Sequence, residues 1–389
     1  MLLRIPAIRL LFASQALYLS CSLIGITLTS LVGAQLTPLN SLATLPLAIL
    51  VLGNLLAVQP LSLFMQRHGR RRGLLLGAAC GVFGGLLCAL GVWLADFLLF
   101  CLGALPIGAY QASAMYYRFA ALEAVDETHK GRATAYVIGG GVLAALLAPS
   151  LALWSRNALP APFVGSYLAI ATLALVALAV LSRLPEGAAP APSTGGWKVM
   201  RELLSRPAVR AAMACTAAGH GLMILIMNAT PLAMSFCGLP LEQSSRVIQW
   251  HVLGMFLPAF FAGPLVDRIG NRRVALLGAF LLAASAGIAL DGQSVTHFLL
   301  SSLALGSGWN LMLIAGTTLL GEGHAESERG AAQGLMEQGN SLVAALMSFG
   351  SGALITSLGW NAVNLLVWPA LLVALALLWP VRRTRTLSR

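Results

Sequence analysis

Apolar stretches of about 20 residues recur from one end of this chain to the other, and they leave few folds open. A run of that length is what a helix needs to cross the hydrocarbon core of a bilayer. Twelve are legible, with soft edges, at about 7–35, 41–66, 73–94, 96–120, 132–154, 162–183, 207–237, 244–266, 273–291, 296–320, 331–357 and 360–382. Only 10% of the residues are charged, where a soluble domain has about a quarter, and the mean hydropathy is +0.84. An all-α, polytopic membrane protein is predicted. The opening MLLRIPAIRLLFASQALYL is shaped like a secretory signal, but its apolar stretch continues to about residue 35 and reads as the first spanning helix. The six cysteines, Cys21, Cys80, Cys88, Cys101, Cys215 and Cys237, fall mostly inside apolar runs with no CxxC spacing. They do not read as a secreted disulfide framework.

Charge then orients the spans. With both termini inside, every Lys and Arg except Arg156 and Arg246 lies in an inside segment or at the adjoining helix end. This is the positive-inside bias, and it accounts for the net charge of +11 without invoking nucleic acid. In a bacterial inner membrane the inside is cytoplasm.

The longest polar stretch between spans, LPEGAAPAPSTGGWKVMRELLSR at 184–206, reads as a cytoplasmic linker ending in a short amphipathic piece. It divides the chain into six-helix bundles at 1–183 and 207–389. The halves share a marker. LFMQRHGRRRG follows span two, GPLVDRIGNRR follows span eight, and Arg67, Gly69 and Arg71 align with Arg268, Gly270 and Arg272. Two parallel repeats with this loop resemble the major facilitator superfamily of transporters, which implies its twelve-helix fold in two six-helix bundles. Gly263, Asp267, Arg268, Gly270, Arg272 and Arg273 match that family's cytoplasmic loop motif, with Asn271 where a basic residue is usual. The resemblance implies a charge latch that closes the cytoplasmic side. In the first copy, Ser62 and Gln66 stand in place of the glycine and the aspartate, so a weaker or differently built latch is expected there. No GxxxxGK[ST] loop, Ser/His/Asp set or zinc-protease pattern occurs, so a transporter is expected and an enzyme is not.

Polar groups at depth are expensive and point to function. Of the six histidines only His220 and His251 lie deep, and of the acids only Glu337 lies clearly inside a span. Burial penalises the charged form of Glu337, which makes it the proton-linked or gating candidate; a hydrogen-bonded carboxyl near Gln338 and Asn340, or a solvated helix end, is the plainer reading. On span seven, His220, Met223, Met227 and Met234 fall within roughly 60° of one another around the helix. On span eight, His251 and Met255 are four apart and share a face. Thioethers with imidazole suit a soft monovalent cation, Cu(I), above Zn(II) or Mn(II). Methionine is also an ordinary filler of apolar helices, and neither pair alone carries the reading.

The pairs Met223-xxx-Met227 and His251-xxx-Met255 match the signature of the CcoA-like copper importers, a subfamily that supplies copper for assembly of cb-type cytochrome oxidase. The resemblance implies copper import through Met223, Met227, His251 and Met255, with His220 nearby and Cys215 and Cys237 as thiol-redox accessories. Relatives in the wider group carry riboflavin and lack these pairs. Copper is then cargo with no prosthetic group, and a copper chaperone and the lipid bilayer are the partners implied, for an expected monomer. The alternative is an organic solute such as riboflavin or a drug, with Trp309, Asn310, Tyr116 and Gln111 supplying aromatic and polar contacts.

Overall fold

A computed structural model describes residues 5–37, 42, 45–185 and 196–380. Within a bilayer a backbone must satisfy its own hydrogen bonds, and a helix does so inside a single segment. The described residues are accordingly helical and contain no strand.

In chain order the helices are α1 (Pro6–Leu36), α2 (Leu45–His68), α3 (Arg70–Trp93), α4 (Phe97–Ala114), α5 (Tyr117–Glu123), α6 (Lys130–Gly139), α7 (Gly141–Arg156) and α8 (Val164–Leu181). There follow α9 (Trp197–Ser205), α10 (Pro207–Phe236), α11 (Leu241–Phe256), α12 (Ala259–Ile269), α13 (Asn271–Asp291), α14 (Val295–Glu322), α15 (Arg329–Leu365) and α16 (Val367–Leu378). Eleven helical stretches among the described residues are long and apolar enough to cross a membrane. Three of them join two helices each: α4 with α5, α6 with α7, and α11 with α12. The last of these breaks beside Pro258, where the ring removes a backbone donor.

The twelfth expected span begins inside α15. Gly359 takes φ 80° and ψ 178°, a combination a helix cannot hold, so the helix from Arg329 ends there and Trp360 starts the next apolar stretch into α16. The same chemistry marks the repeated loops. Gly69 between α2 and α3 has φ +92°, and Gly270 between α12 and α13 has φ +86°. Both aligned glycines sit where side chains are disfavoured.

Of the expected linker at 184–206, residues 186–195 lie outside the described residues, as do both chain ends. The amphipathic piece forms α9, which buries Leu203 and leaves Trp197 81% exposed.

The chain gathers into two compact units. One comprises Met1–Ala124, Tyr136–Gly195 and Glu326–Ser341; the other comprises Val125–Ala135, Gly196–Ala325 and Leu342–Arg389. The first therefore includes the start of α15, and the second includes most of the first turns of α6.

Candidate functional site

In the second unit α14 packs against both α10 and α11. The approach is close because of glycine: a Cβ on Gly306 would stand 2.7 Å from the His251 carbonyl oxygen and 2.8 Å from the Met255 nitrogen. Small residues at such crossings let backbones meet in lipid.

That contact orients His251. Its side chain is buried, and Nδ1 lies 2.8 Å from the carbonyl oxygen of Ser302. A carbonyl only accepts, so Nδ1 carries the proton and Nε2 keeps its lone pair. Nε2 is buried and has no hydrogen-bond partner among the described residues. One turn on, Met255 is half-buried, and its carbonyl accepts from Asn310 Nδ2 at 2.7 Å. Asn310 is fully buried, and its Oδ1 has no partner among the described residues.

Trp309, beside Asn310, bridges the neighbouring helices. Its Nε1 donates to His220 Nδ1 at 3.1 Å, and its ring meets Phe256 edge-on at 6.0 Å between centroids. His220 on α10 is thus drawn to an aromatic partner on α14. Met223 is buried and Met227 half-buried on the same helix. No hydrogen bond or ring contact among the described residues ties either methionine to His251. Nor does any group of three or more His, Cys, Asp or Glu side chains that could hold a metal occur among them.

Both candidate cysteines are free thiols: Cys215 is buried, and Cys237 is exposed and donates to Gln293 Oε1 at 2.9 Å. Phe256 and the Ser302 carbonyl went unnoticed in the sequence, since an apolar helix carries many such residues. Tyr116, expected as a contact for solute, is fully buried in the first unit and donates to the Val58 carbonyl at 2.8 Å.

The loop motif is built differently in its two copies. In the second unit Gly263 leaves room for α6: a Cβ there would lie 2.6 Å from Arg132 Cα. Asp267 Oδ1 accepts from the Gly131 N–H at 3.1 Å, and Oδ2 pairs with Arg132 Nε at 3.1 Å. Arg272 stacks its guanidinium 5.2 Å from the Trp379 ring, while Arg268 and Arg273 are exposed. Asn271, the departure from the motif, accepts from Thr318 and donates to Glu322, each at 2.6 Å.

In the first unit Ser62 Oγ donates to the Gly330 carbonyl at 2.7 Å. Gln66 Oε1 accepts from the Gly330 N–H at 2.8 Å, and its Nε2 donates to the Ser327 carbonyl. A neutral amide thus grips a glycine N–H as Asp267 does. Charge gathers beside it, with Glu123 held by Arg70 (Nε to Oε2, 3.1 Å) and by Arg329 (3.2 Å). Glu337 is fully buried, which removes the solvated-end reading, and it accepts from Arg118 Nη2.

A family profile for the Major Facilitator Superfamily matches residues 241–389. The riboflavin transporter RfnT of Brucella anthropi is 39% identical over 372 residues, spanning 95% of this chain and 93% of that protein. The chain belongs to the major facilitator superfamily. The E. coli fucose:proton symporter FucP superposes with a TM-score of 0.79 at 14% identity, covering 97% of this chain and 98% of that one. A bacterial homologue of the iron transporter ferroportin, outward-facing, gives 0.77 at 15%, covering 96% and 98%. These two likenesses show the fold. As a superfamily member the protein is a multi-pass secondary transporter. The comparisons lend no support to copper import, copper binding or oxidase assembly, and the similarity to RfnT favours the organic-solute alternative.

Proposed function

We propose that this transporter moves a planar heterocyclic solute of the riboflavin class across a bacterial inner membrane. The likeness to RfnT along nearly the whole chain carries the reading. The second unit offers suitable chemistry. Trp309 and Phe256 are buried aromatic rings packed edge to face. Beside them the buried Asn310 Oδ1, unpartnered among the described residues, could accept from a ring imide N–H once the site opens. Both termini inside, the linker on the cytoplasmic side, six-helix bundles at 1–183 and 207–389, and a monomer belong to this reading; the charge bias supports the orientation.

A second reading, Cu(I) import, is favoured by one observation. His251 keeps an unpaired, buried Nε2 one turn from Met255, with Nδ1 oriented by the Ser302 carbonyl. Orientation of this kind is how metal-binding imidazoles are set. Met223 and Met227 would complete a thioether set, with Cys215 and Cys237 as redox accessories and a copper chaperone as recipient.

Uptake of labelled riboflavin and of copper under reducing conditions, in cells lacking their own carriers, separates the two. Riboflavin accumulation that Trp309→Leu abolishes and Met227→Leu spares is expected. Copper accumulation lost in Met227→Leu and His251→Leu, with no riboflavin uptake, would replace the first reading by the second.

A further inference from the structure

A pocket of about 630 Å³ opens in the first unit between α3 and α8, outside every site described above. Leu90 and Trp93 of α3, Leu168 of α8, and Pro160 and Ala161 of the connection after α7 line it. That volume falls within the roughly 300–1,000 Å³ usual for ligand pockets. Helix surfaces facing lipid are normally convex, and annular lipids slide over them. A concave apolar pocket has the shape to seat a chain instead.

What lies at its rim defines the other end of the occupant. Trp93 is 71% exposed and Trp154 is 70% exposed, and exposed indoles gather at the headgroup level of a bilayer. Arg156, two residues after Trp154, is exposed and places its guanidinium 4.9 Å from the centre of the Phe163 ring. Phe163 is buried and holds φ +68°, while its N–H donates to the Arg156 carbonyl at 2.9 Å. This short closed loop fixes the cation, and the residue after Phe163, Val164, lines the pocket. No carboxylate pairs with Arg156 among the described residues. Asp96, which follows the end of α3, uses its carboxylate to cap α4 through the Leu99 N–H at 2.9 Å.

We propose that this pocket seats one phospholipid with an anionic headgroup, its acyl chain between α3 and α8 and its phosphate against Arg156. A fixed cation on the loop that supplies Leu159, Pro160 and Ala161 to the apolar lining, flanked by exposed indoles, matches an amphiphile with a charged head and an apolar tail better than a soluble anion. Charge attraction of this kind favours an anionic over a zwitterionic lipid roughly fivefold per basic residue.

The full-length protein reconstituted in an equal mixture of phosphatidylglycerol and phosphatidylcholine, then released into mild detergent, is examined by native mass spectrometry. One retained phosphatidylglycerol, preferred about fivefold, is expected. Arg156→Gln should retain the two lipids equally. Leu90→Trp, which fills the pocket, should retain neither, and Ala161→Trp on the connecting loop gives the same reading should the helix variant fold poorly. Equal retention of both lipids by the unaltered protein overturns the proposal, as does an unchanged preference in Arg156→Gln or undiminished retention in both tryptophan variants.

Discussion

Arg118 and Glu337, 219 residues apart in the chain, form an ion pair whose side chains are 9% and 0% exposed. Among the described residues the second carboxylate oxygen, Oε2, is buried and makes no hydrogen bond of ordinary geometry, although the Asn340 side chain interacts with the carboxyl. A carboxylate at this depth is tolerable only because a guanidinium accompanies it.

The pair should therefore behave asymmetrically on mutation. Removing one partner leaves the other charge uncompensated, at a cost of about 3–5 kcal/mol. Glu337→Gln and Arg118→Met should each lower the melting temperature in detergent, and the double variant should recover much of the loss. Additive losses in that cycle would contradict a direct pairing. If Glu337 also carries the coupling proton, Glu337→Gln should flatten the pH profile of uptake; an unchanged profile ends that role.

Trp309→Phe keeps the aromatic face and removes the Nε1 donor to His220. Loss of one neutral internal hydrogen bond costs about 0.5–1.5 kcal/mol of stability, so Trp309→Phe should melt slightly earlier than the unaltered protein while KM for the transported solute rises little. Trp309→Leu, which also removes the ring facing Phe256, should be the more damaging change. Equal kinetics for the two would exclude aromatic recognition at this position.

The two loop anchors should respond unequally to exchange of amide and acid. Gln66→Glu sets an oxygen against the Ser327 carbonyl, replacing a donor by a second acceptor, at about 1–3 kcal/mol. Asp267→Asn keeps an acceptor for the Gly131 N–H and loses only its attraction to Arg132, which is 40% exposed; that costs under about 1 kcal/mol. Thermal melts should rank Gln66→Glu as the less stable protein, although it moves the first copy of the loop towards the family pattern. The reverse order would show that the neutral anchor is dispensable.

Gly306→Val should disturb the site without replacing any candidate ligand. Its side chain would press on the backbone of α11 at His251 and Met255, which cannot rotate aside. Overpacking of this kind costs about 1–3 kcal/mol, and it should separate His251 from the Ser302 carbonyl. Transport should fall while Gly306→Ala, with the smallest added group, falls less. Full activity in Gly306→Val would mean that the α11–α14 spacing is not critical.

The cysteines differ in access. Cys237 is exposed and Cys215 is 1% exposed. In detergent, a maleimide should modify the first at least an order of magnitude faster than the second. Comparable rates would show that α10 opens readily around Cys215.

Much of the architecture was written locally. The spans follow from runs of apolar residues, and the aligned Gly69 and Gly270 mark the same positive-φ turn because backbone conformation there depends on one residue and its neighbours. Gly359 likewise separates the last two spans, although the helical path is nearly continuous around it. The Met/His pairs could be placed on their helix faces from spacing alone.

Which faces meet was a different matter. In a soluble protein the polar stripe of a helix announces the outside. Here lipid and core are equally apolar, and composition carries no such mark. Ile314 is fully buried and Leu346 is 61% exposed, yet nothing in their chemistry distinguishes them. The sequence by itself determined the helices, their turns and the buried polar inventory. Only the tertiary structure decided that Trp309 meets His220, that the Ser302 carbonyl turns His251, and that Arg118 neutralises Glu337, because those partners are chosen by helix packing across distant parts of the chain.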